Sequence, residues 1–232
     1  MAGTRSNCGE IGHTNAVMKL VFFDLDGTIT RRDSLSSYLL ALLRRRPWRL
    51  LRLPMFLPAA LRFAFGRCDR GELKASLTRA VAAGLGRIEI DKWNAEFLPA
   101  LLSSGCFAEA LAAIAAHIAA GDHLVLMSAS VDLYVPELAR TLGFHAAYCT
   151  QLSWEGDVFA GRLLSPNMRD LEKLRCVERL RQQFPDVPTQ AYGNSAPDMP
   201  HLRAVDHGVL VNGNARLRAA AVAAHIEYVS WT

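Results

Sequence analysis

The sequence predicts an α/β fold: a parallel sheet flanked by helices, with a helical insert directly after the first strand. Three observations carry this reading. Short apolar runs rich in Val, Leu and Phe alternate with helix-period stretches, which is the pattern of β–α–β units. The alternation breaks once, over residues 31–106, which read as helical almost throughout. Acids, hydroxyls and one lysine stand where the apolar runs end, at Asp24 and Asp26, at Ser128 and Ser130, and at Asp198.

In chain order, residues 1–17 lack the apolar stretch of a secretory signal and read as a mobile tail. "KLVFFD" (19–24) is a buried first strand. Residues 31–106 are too long for an ordinary strand-to-helix connection, and they carry prolines at 47, 54 and 58. They are expected to form a helical cap over a core made of 18–30 and 107–232. Helices are expected near 107–120, 132–142, 169–184 and 214–224, with Gly121, Gly143 and Gly213 at their ends. Between them "HLVLMS" (123–128), "AYCT" (147–150), "TQAYG" (189–193), "GVLVN" (208–212) and "IEYVSW" (226–231) read as strands. "LSWEGDVFAGRL" (152–163) reads as a small hairpin on the edge of the core.

The chain has 232 residues, 51% of them hydrophobic and 21% charged, enough for a sizeable core in a soluble protein. Its five cysteines, at 8, 68, 106, 149 and 176, show no CxxC spacing. That argues against a zinc site or disulfide framework and for a reducing compartment, the cytoplasm. No uncharged apolar run reaches the ~18–20 residues of a spanning helix. The net charge of +4 is unevenly placed, because residues 31–70 hold ten Arg and two Asp and so carry +8, leaving −4 for the rest.

In open α/β sheets ligands bind beyond the carboxyl ends of the strands, so an insert after the first strand would cover the site. There the sequence gathers Asp24 and Asp26 ("DLDGT"), Ser128-Ala129-Ser130, Lys173, and "GNSAPD" from Gly193 to Asp198. Carboxylates, hydroxyls and a lysine at one edge suit a phosphate and a hard cation. A carboxylate can attack phosphorus, and a second one two residues on can serve as acid and then base. Mg²⁺ takes oxygen ligands. Hydroxyls and backbone N–H groups at a helix start can hold phosphate oxygens.

The motifs "DLDGT" (24–28), "LMSAS" (126–130), "LEKLRCVERL" (171–180) and "YGNSAPD" (192–198), in this order, resemble the haloacid dehalogenase superfamily, in its phosphoserine-phosphatase-like subfamily IB. The resemblance implies a Rossmann-like core with a helical cap. It also implies a phosphomonoesterase in which Asp24 is nucleophile and Mg²⁺ ligand. Asp26 would be general acid/base and a ligand through its carbonyl, and Lys173 would steady the nucleophile. Ser128, with Ala129, Ser130, Gly27 and Thr28 around it, would hold the phosphoryl group. Superfamily dehalogenases lack the second acid, so Asp26 favours phosphorus chemistry. Where the family usually has a metal-binding Asp, this chain has Asn194, an uncharged ligand, and Asp198 would complete the metal set. Asp33 stands where phosphoserine phosphatases contact the substrate amine, but a structural or generic role is the simpler expectation. For the cap arginine of those enzymes, Arg79 in "LKASLTRAV" is the nearest counterpart, one position off. The histidines show no metal spacing and are expected to be surface or satisfied residues.

"LLRRRPWRLLRLPMFLPAALRFAFGR" (42–67) interleaves Arg with Leu, Phe, Trp and Pro. It reads either as a lid packed on itself with solvated arginines, or as an amphipathic surface for an anionic membrane. Nucleic-acid binding is disfavoured, as no recognised module is visible. Its layout resembles the lid of bacterial phosphatidylglycerophosphatase of the C type, which points to an amphiphilic or lipid phosphate and to the inner face of the membrane. A soluble small-metabolite phosphatase of the phosphoserine type remains open, as does a non-catalytic phosphate- or membrane-binding relative, which Asn194 would permit.

Overall fold

The computed structural model describes residues 18–232; the tail expected at 1–17 lies outside the described residues. The chain begins with β1 (Leu20–Asp24) and then runs through α1 (Ser34–Arg45), a 3-10 segment (Pro47–Phe56), α2 (Leu57–Ala64), α3 (Arg70–Ala82), α4 (Arg87–Ala100) and a π turn (Leu101–Gly105). It continues with α5 (Ala108–Ala119), β2 (His123–Val131), α6 (Val135–Thr141), β3 (Ala146–Thr150), β4 (Leu152–Glu155) and β5 (Val158–Leu163). The last elements are α7 (Leu171–Gln183), β6 (Thr189–Gly193), α8 (Met199–Arg203), β7 (His207–Val211), α9 (Ala215–Ala223) and β8 (Glu227–Val229).

Six strands pair in parallel in the order β3-β2-β1-β6-β7-β8, the expected α/β sheet. β1 is central and buried along its whole length. Val21 and Phe23 pack into the core on one face, and Leu20 and Phe22 into the core on the other, as alternation along a strand buried on both faces requires. β2 runs three residues past the expected end, and its pairing with β3 shifts register between Ser128 and Val131. The Ser128-Ala129-Ser130 motif therefore sits on an irregularity, the kind of place where a strand re-aims its side chains.

The helical segment is tied to the sheet by buried polar contacts. The Tyr38 hydroxyl donates to Asn94 Oδ1 (2.9 Å), and Asn94 Nδ2 donates to the Leu133 carbonyl (2.8 Å). Ser34 and Tyr134 share a hydroxyl–hydroxyl bond of 2.7 Å. Asp33 and Asp69 cap α1 and α3 by accepting from the amides of Ser36 and Glu72. Pro54 and Pro58 prevent 47–64 from forming one continuous α-helix, so a 3-10 segment leads into the short α2. That segment is pinned to the end of α3 by Arg49, whose guanidinium donates to the carbonyls of Val81 (2.7 Å) and Ala83 (3.1 Å).

The 152–163 hairpin forms as expected, but not on the edge of the core. β4 and β5 make their own two-stranded sheet, which pairs with the turn between α3 and α4. Gly84 N donates to the Phe159 carbonyl and Phe159 N to the Leu85 carbonyl, both at 2.9 Å. The Arg87 guanidinium lies 4.2 Å from the centroid of the Trp154 ring. Phe159 is buried there, so the hairpin gains apolar cover from α3 that the sheet edge does not offer.

Candidate active site

From β1 the sheet order runs one way through β2 and β3 and the other way through β6, β7 and β8. The crevice at this switch point opens at the carboxyl ends of β1 and β6, where Asp24 and Asn194 stand. A sharp turn follows Asp24. The Leu25 carbonyl accepts from the amides of Thr28 (3.3 Å), Ile29 (2.8 Å) and Thr30 (2.9 Å). Gly27 takes φ 88°, and a Cβ on it would lie 2.0 Å from Asn194 Nδ2. Only glycine both adopts this turn and admits the Asn194 side chain.

A cavity of about 210 Å³ opens here. Asp24, Asp26, Asp33, Ala129, Lys173, Asn194 and Asp198 line it, together with Lys74, Arg169, Ser195 and Pro197. Lys173 is 2% exposed, and its ammonium is shared between Asp24 Oδ1 and Asp198 Oδ1, the latter at 2.7 Å. Asp24 Oδ2 accepts from the Thr28 hydroxyl (2.9 Å). Asp198 Oδ2 accepts from the amides of Asn194 (3.3 Å) and Ser195 (3.0 Å) and from the Ser195 hydroxyl (2.6 Å). Asp26 Oδ1 accepts from Ser34 N (2.7 Å) and Ser34 Oγ (2.5 Å), and its Oδ2 from Ser130 Oγ (2.6 Å).

These contacts set the charges. Burial works against the Lys173 ammonium, but Asp198 and Asp24 outweigh it and raise its pKa. Burial alone would raise the Asp198 carboxyl, yet Lys173, His201 and the Ser195 hydroxyl hold it well below the usual range. Asp24 is left undercompensated: burial pushes it up to about 7 despite Lys173, and Asp198 and Asp26 add to the rise.

A buried group of acids short of positive charge suits a hard cation. The donors that face the cavity are all oxygens: the Asp24 carboxylate, whose oxygens also meet Lys173 and Thr28, the backbone carbonyl of Asp26 and the Asn194 amide oxygen. That set fits Mg²⁺. Among the described residues no cluster of three or more His, Cys, Asp and Glu side chains is arranged for a metal, so a cation here depends on the amide and the backbone as well as on carboxylates. Both Asp198 oxygens, like those of Asp24, already accept hydrogen bonds; those on Asp198 clamp Lys173 and the 194–198 turn.

The other expected site residues are distributed as follows. Thr28, Ser128 and Ser130 are fully buried beneath the cavity. Ser128 Oγ accepts from Ser130 N at 3.0 Å, and Ser130 holds Asp26. Asp33 lines the cavity while capping α1. Arg79 is not among the cavity residues; it faces α2 and the hairpin, beside Gly161. Lys74 takes the inward place on α3, with its Nζ 3.4 Å from the Ala129 carbonyl. Five residues of helix turn a side chain by about 140°, so 74 and 79 cannot face one way. Helical phase could have singled out Lys74, whereas nothing in the sequence marks Arg169. The histidine expectation holds at His117, which bridges Asp122 (2.7 Å) and Tyr192 (3.0 Å). It fails at His201, which is fully buried with neither ring nitrogen partnered. Burial, with Lys173 close by, lowers its pKa to about 3 and keeps it neutral.

The model of the haloacid dehalogenase-like hydrolases matches residues 21–203. The chain belongs to this family. It is therefore an enzyme, a hydrolase of the haloacid dehalogenase type. It is 35% identical to the protein CicA of Caulobacter vibrioides over 220 residues, covering 89% of this chain and 90% of that protein. It is 26% identical to the phosphoserine phosphatase SerB1 of Mycobacterium tuberculosis, covering 86% and 67%. Among solved structures, a protein of unknown function from Bordetella pertussis superposes with a TM-score of 0.73 at 22% identity, covering 92% of this chain and 98% of that one. A probable phosphoserine phosphatase from Vibrio cholerae gives 0.66 at 16% identity, covering 93% and 62%. At such identities the structures speak for the haloacid dehalogenase fold alone.

Proposed function

We propose that this hydrolase is a Mg²⁺-dependent phosphomonoesterase working through an aspartyl-phosphate on Asp24. The observation that carries the reading is the buried Asp24, held between Lys173 and Thr28 at the cavity floor with Asp26 beside it. An Asp24 oxygen attacks phosphorus as the ester P–O bond breaks, and Asp26 gives its proton to the departing alcohol oxygen. Asp26 then takes a proton from a water that attacks the acyl phosphate, which releases inorganic phosphate and restores Asp24. Lys173 fixes Asp24 and is itself fixed by Asp198. Ser34 and Ser130 aim Asp26. Asp24, the Asp26 carbonyl and Asn194 would hold Mg²⁺, which offsets the repulsion between an anionic nucleophile and an anionic substrate. Residues 31–106 act as the cap over a core of 18–30 and 107–232, and Lys74 is the cap's charge at the cavity.

For the substrate we favour an amphiphilic phosphomonoester whose headgroup alone enters this small polar cavity, brought to the enzyme at the inner face of a membrane that residues 42–67 contact. The polar lining also favours a second reading, a soluble phosphorylated metabolite. The test is phosphate release from phosphoserine, sugar phosphates, phosphatidylglycerophosphate and lysophosphatidate in mixed micelles, with and without Mg²⁺. Metal-dependent turnover that falls to background in Asp24→Asn is expected. No turnover on any of them would favour a phosphate-binding protein without catalysis.

A further inference from the structure

Half of the sixteen large apolar side chains exposed in the described structure lie between Trp48 and Phe65. Leu51 is 84% exposed, Phe65 74% and Trp48 62%. The 3-10 segment and α2 carry them, and α2 has no buried residue at all. This stretch is not a loosely held lid: Arg49 and Arg52 anchor it to the carbonyls that end α3. With its inner side pinned, the segment turns its apolar side outward. The basic charge around it is one-signed, since residues 34–68 contain seven Arg and no acid. Arg45, Arg46 and Arg62 are paired with Glu96, Glu89 and Glu72. Arg44 and Arg67 are exposed and pair with no carboxylate among the described residues.

We propose that the Trp48–Phe65 face docks on an anionic membrane, with Trp48, Leu51 and Phe65 entering the interface and Arg44 and Arg67 against the lipid headgroups. Exposed Trp and Phe among Leu, ringed by Arg, is the composition of an interfacial surface, and anionic lipid complements its charge. A second copy of this chain packed face to face would set the unpaired Arg44 and Arg67 against like charges. A nucleic-acid backbone would match the arginines and leave Leu51, Met55, Leu57 and Leu61 in water. α3, which packs against the 3-10 segment and α2, also carries Lys74 into the catalytic cavity, so the docking face and the site share one helix. The inference rests on the membrane-substrate reading for its purpose, but not for its test.

The test is flotation with vesicles of phosphatidylcholine alone or with phosphatidylglycerol added, alongside p-nitrophenyl phosphate turnover on the same samples. Binding is expected on the anionic vesicles only, weakened by salt. It should fall at least ten-fold in Trp48→Ser/Leu51→Ser/Phe65→Ser and clearly in Arg44→Gln/Arg67→Gln, with circular dichroism and turnover unchanged. Failure to bind anionic vesicles, or binding indifferent to both variants, would overturn the proposal. So would a dimer or an RNA complex that the triple variant abolishes in the absence of lipid binding. Vesicle binding without turnover would instead count against the phosphatase reading alone.

Discussion

The tip of β1 and the Trp48–Phe65 face are built from the same materials, apolar side chains and formal charges, arranged in opposite senses. At β1 the apolar residues are buried and the charges are buried with them, Asp24 and Asp198 on Lys173. On the Trp48–Phe65 face large apolar residues point outward, and the flanking Arg44 and Arg67 stay in solvent. Burying a charge is costly unless partners meet it. Exposing a cluster of large apolar groups is unusual unless something covers them. Each region departs from the ordinary disposition of a globular protein, and each departure is where the proposals above place a ligand.

Breaking the buried side should have the larger consequences. In Asp26→Asn, phosphate release should fall about 10²–10⁴-fold through loss of the acid and base, with little change in Tm. Lys173→Met should strand two buried carboxylates and cost about 3–5 kcal/mol of stability, measurable by urea unfolding. Asn194→Asp sharpens the metal side of the comparison: a charged ligand should lower the Mg²⁺ concentration for half-maximal activity about ten-fold. An unchanged or higher Mg²⁺ requirement would remove Asn194 from the metal set.

His201→Leu is a smaller test. It removes two unpartnered ring nitrogens and should raise stability by about 1 kcal/mol. Because the folded pKa of His201 is lowered to about 3, the unfolded chain takes up this proton first. Its neutral form therefore supports the fold fully above the ordinary histidine range, and that support is lost as pH falls toward 3. The variant should lack this part of the acid slope, and thermal melts across that range would read it. The smallest effect belongs to the exposed side: Leu51→Ser should leave unfolding stability within about 0.5 kcal/mol. A larger loss would mean that the face is part of the core.

Much of this was legible in the sequence because it is written in local periodicity and in short motifs. The parallel sheet, the helical insert and the pair of acids after β1 follow from apolar runs, turn residues and spacing. Asp24, Asp26 and Asp198 stand at or near strand ends in the sequence and Lys173 on the helix before β6, Asp33 and the role of Asn194 came from the family resemblance, and all six line one cavity. The amphipathic face was visible as interleaved Arg and aromatic residues.

Tertiary structure alone decided which way side chains point and who shares a charge. Lys74 rather than Arg79 enters the cavity because helix α3 has a single phase against the sheet. The 152–163 hairpin joins the turn after α3 because Phe159 finds cover there. Ser128 and Ser130 lie under the cavity because β2 shifts register past Ser128. Lys173, 149 residues from Asp24 and 25 from Asp198, meets both only because β1 and β6 pair. Spacing along a chain sets which face a residue can occupy. The distance between residues far apart in sequence, and with it the pKa of Asp24 and the isolation of His201, exists only once the sheet has formed.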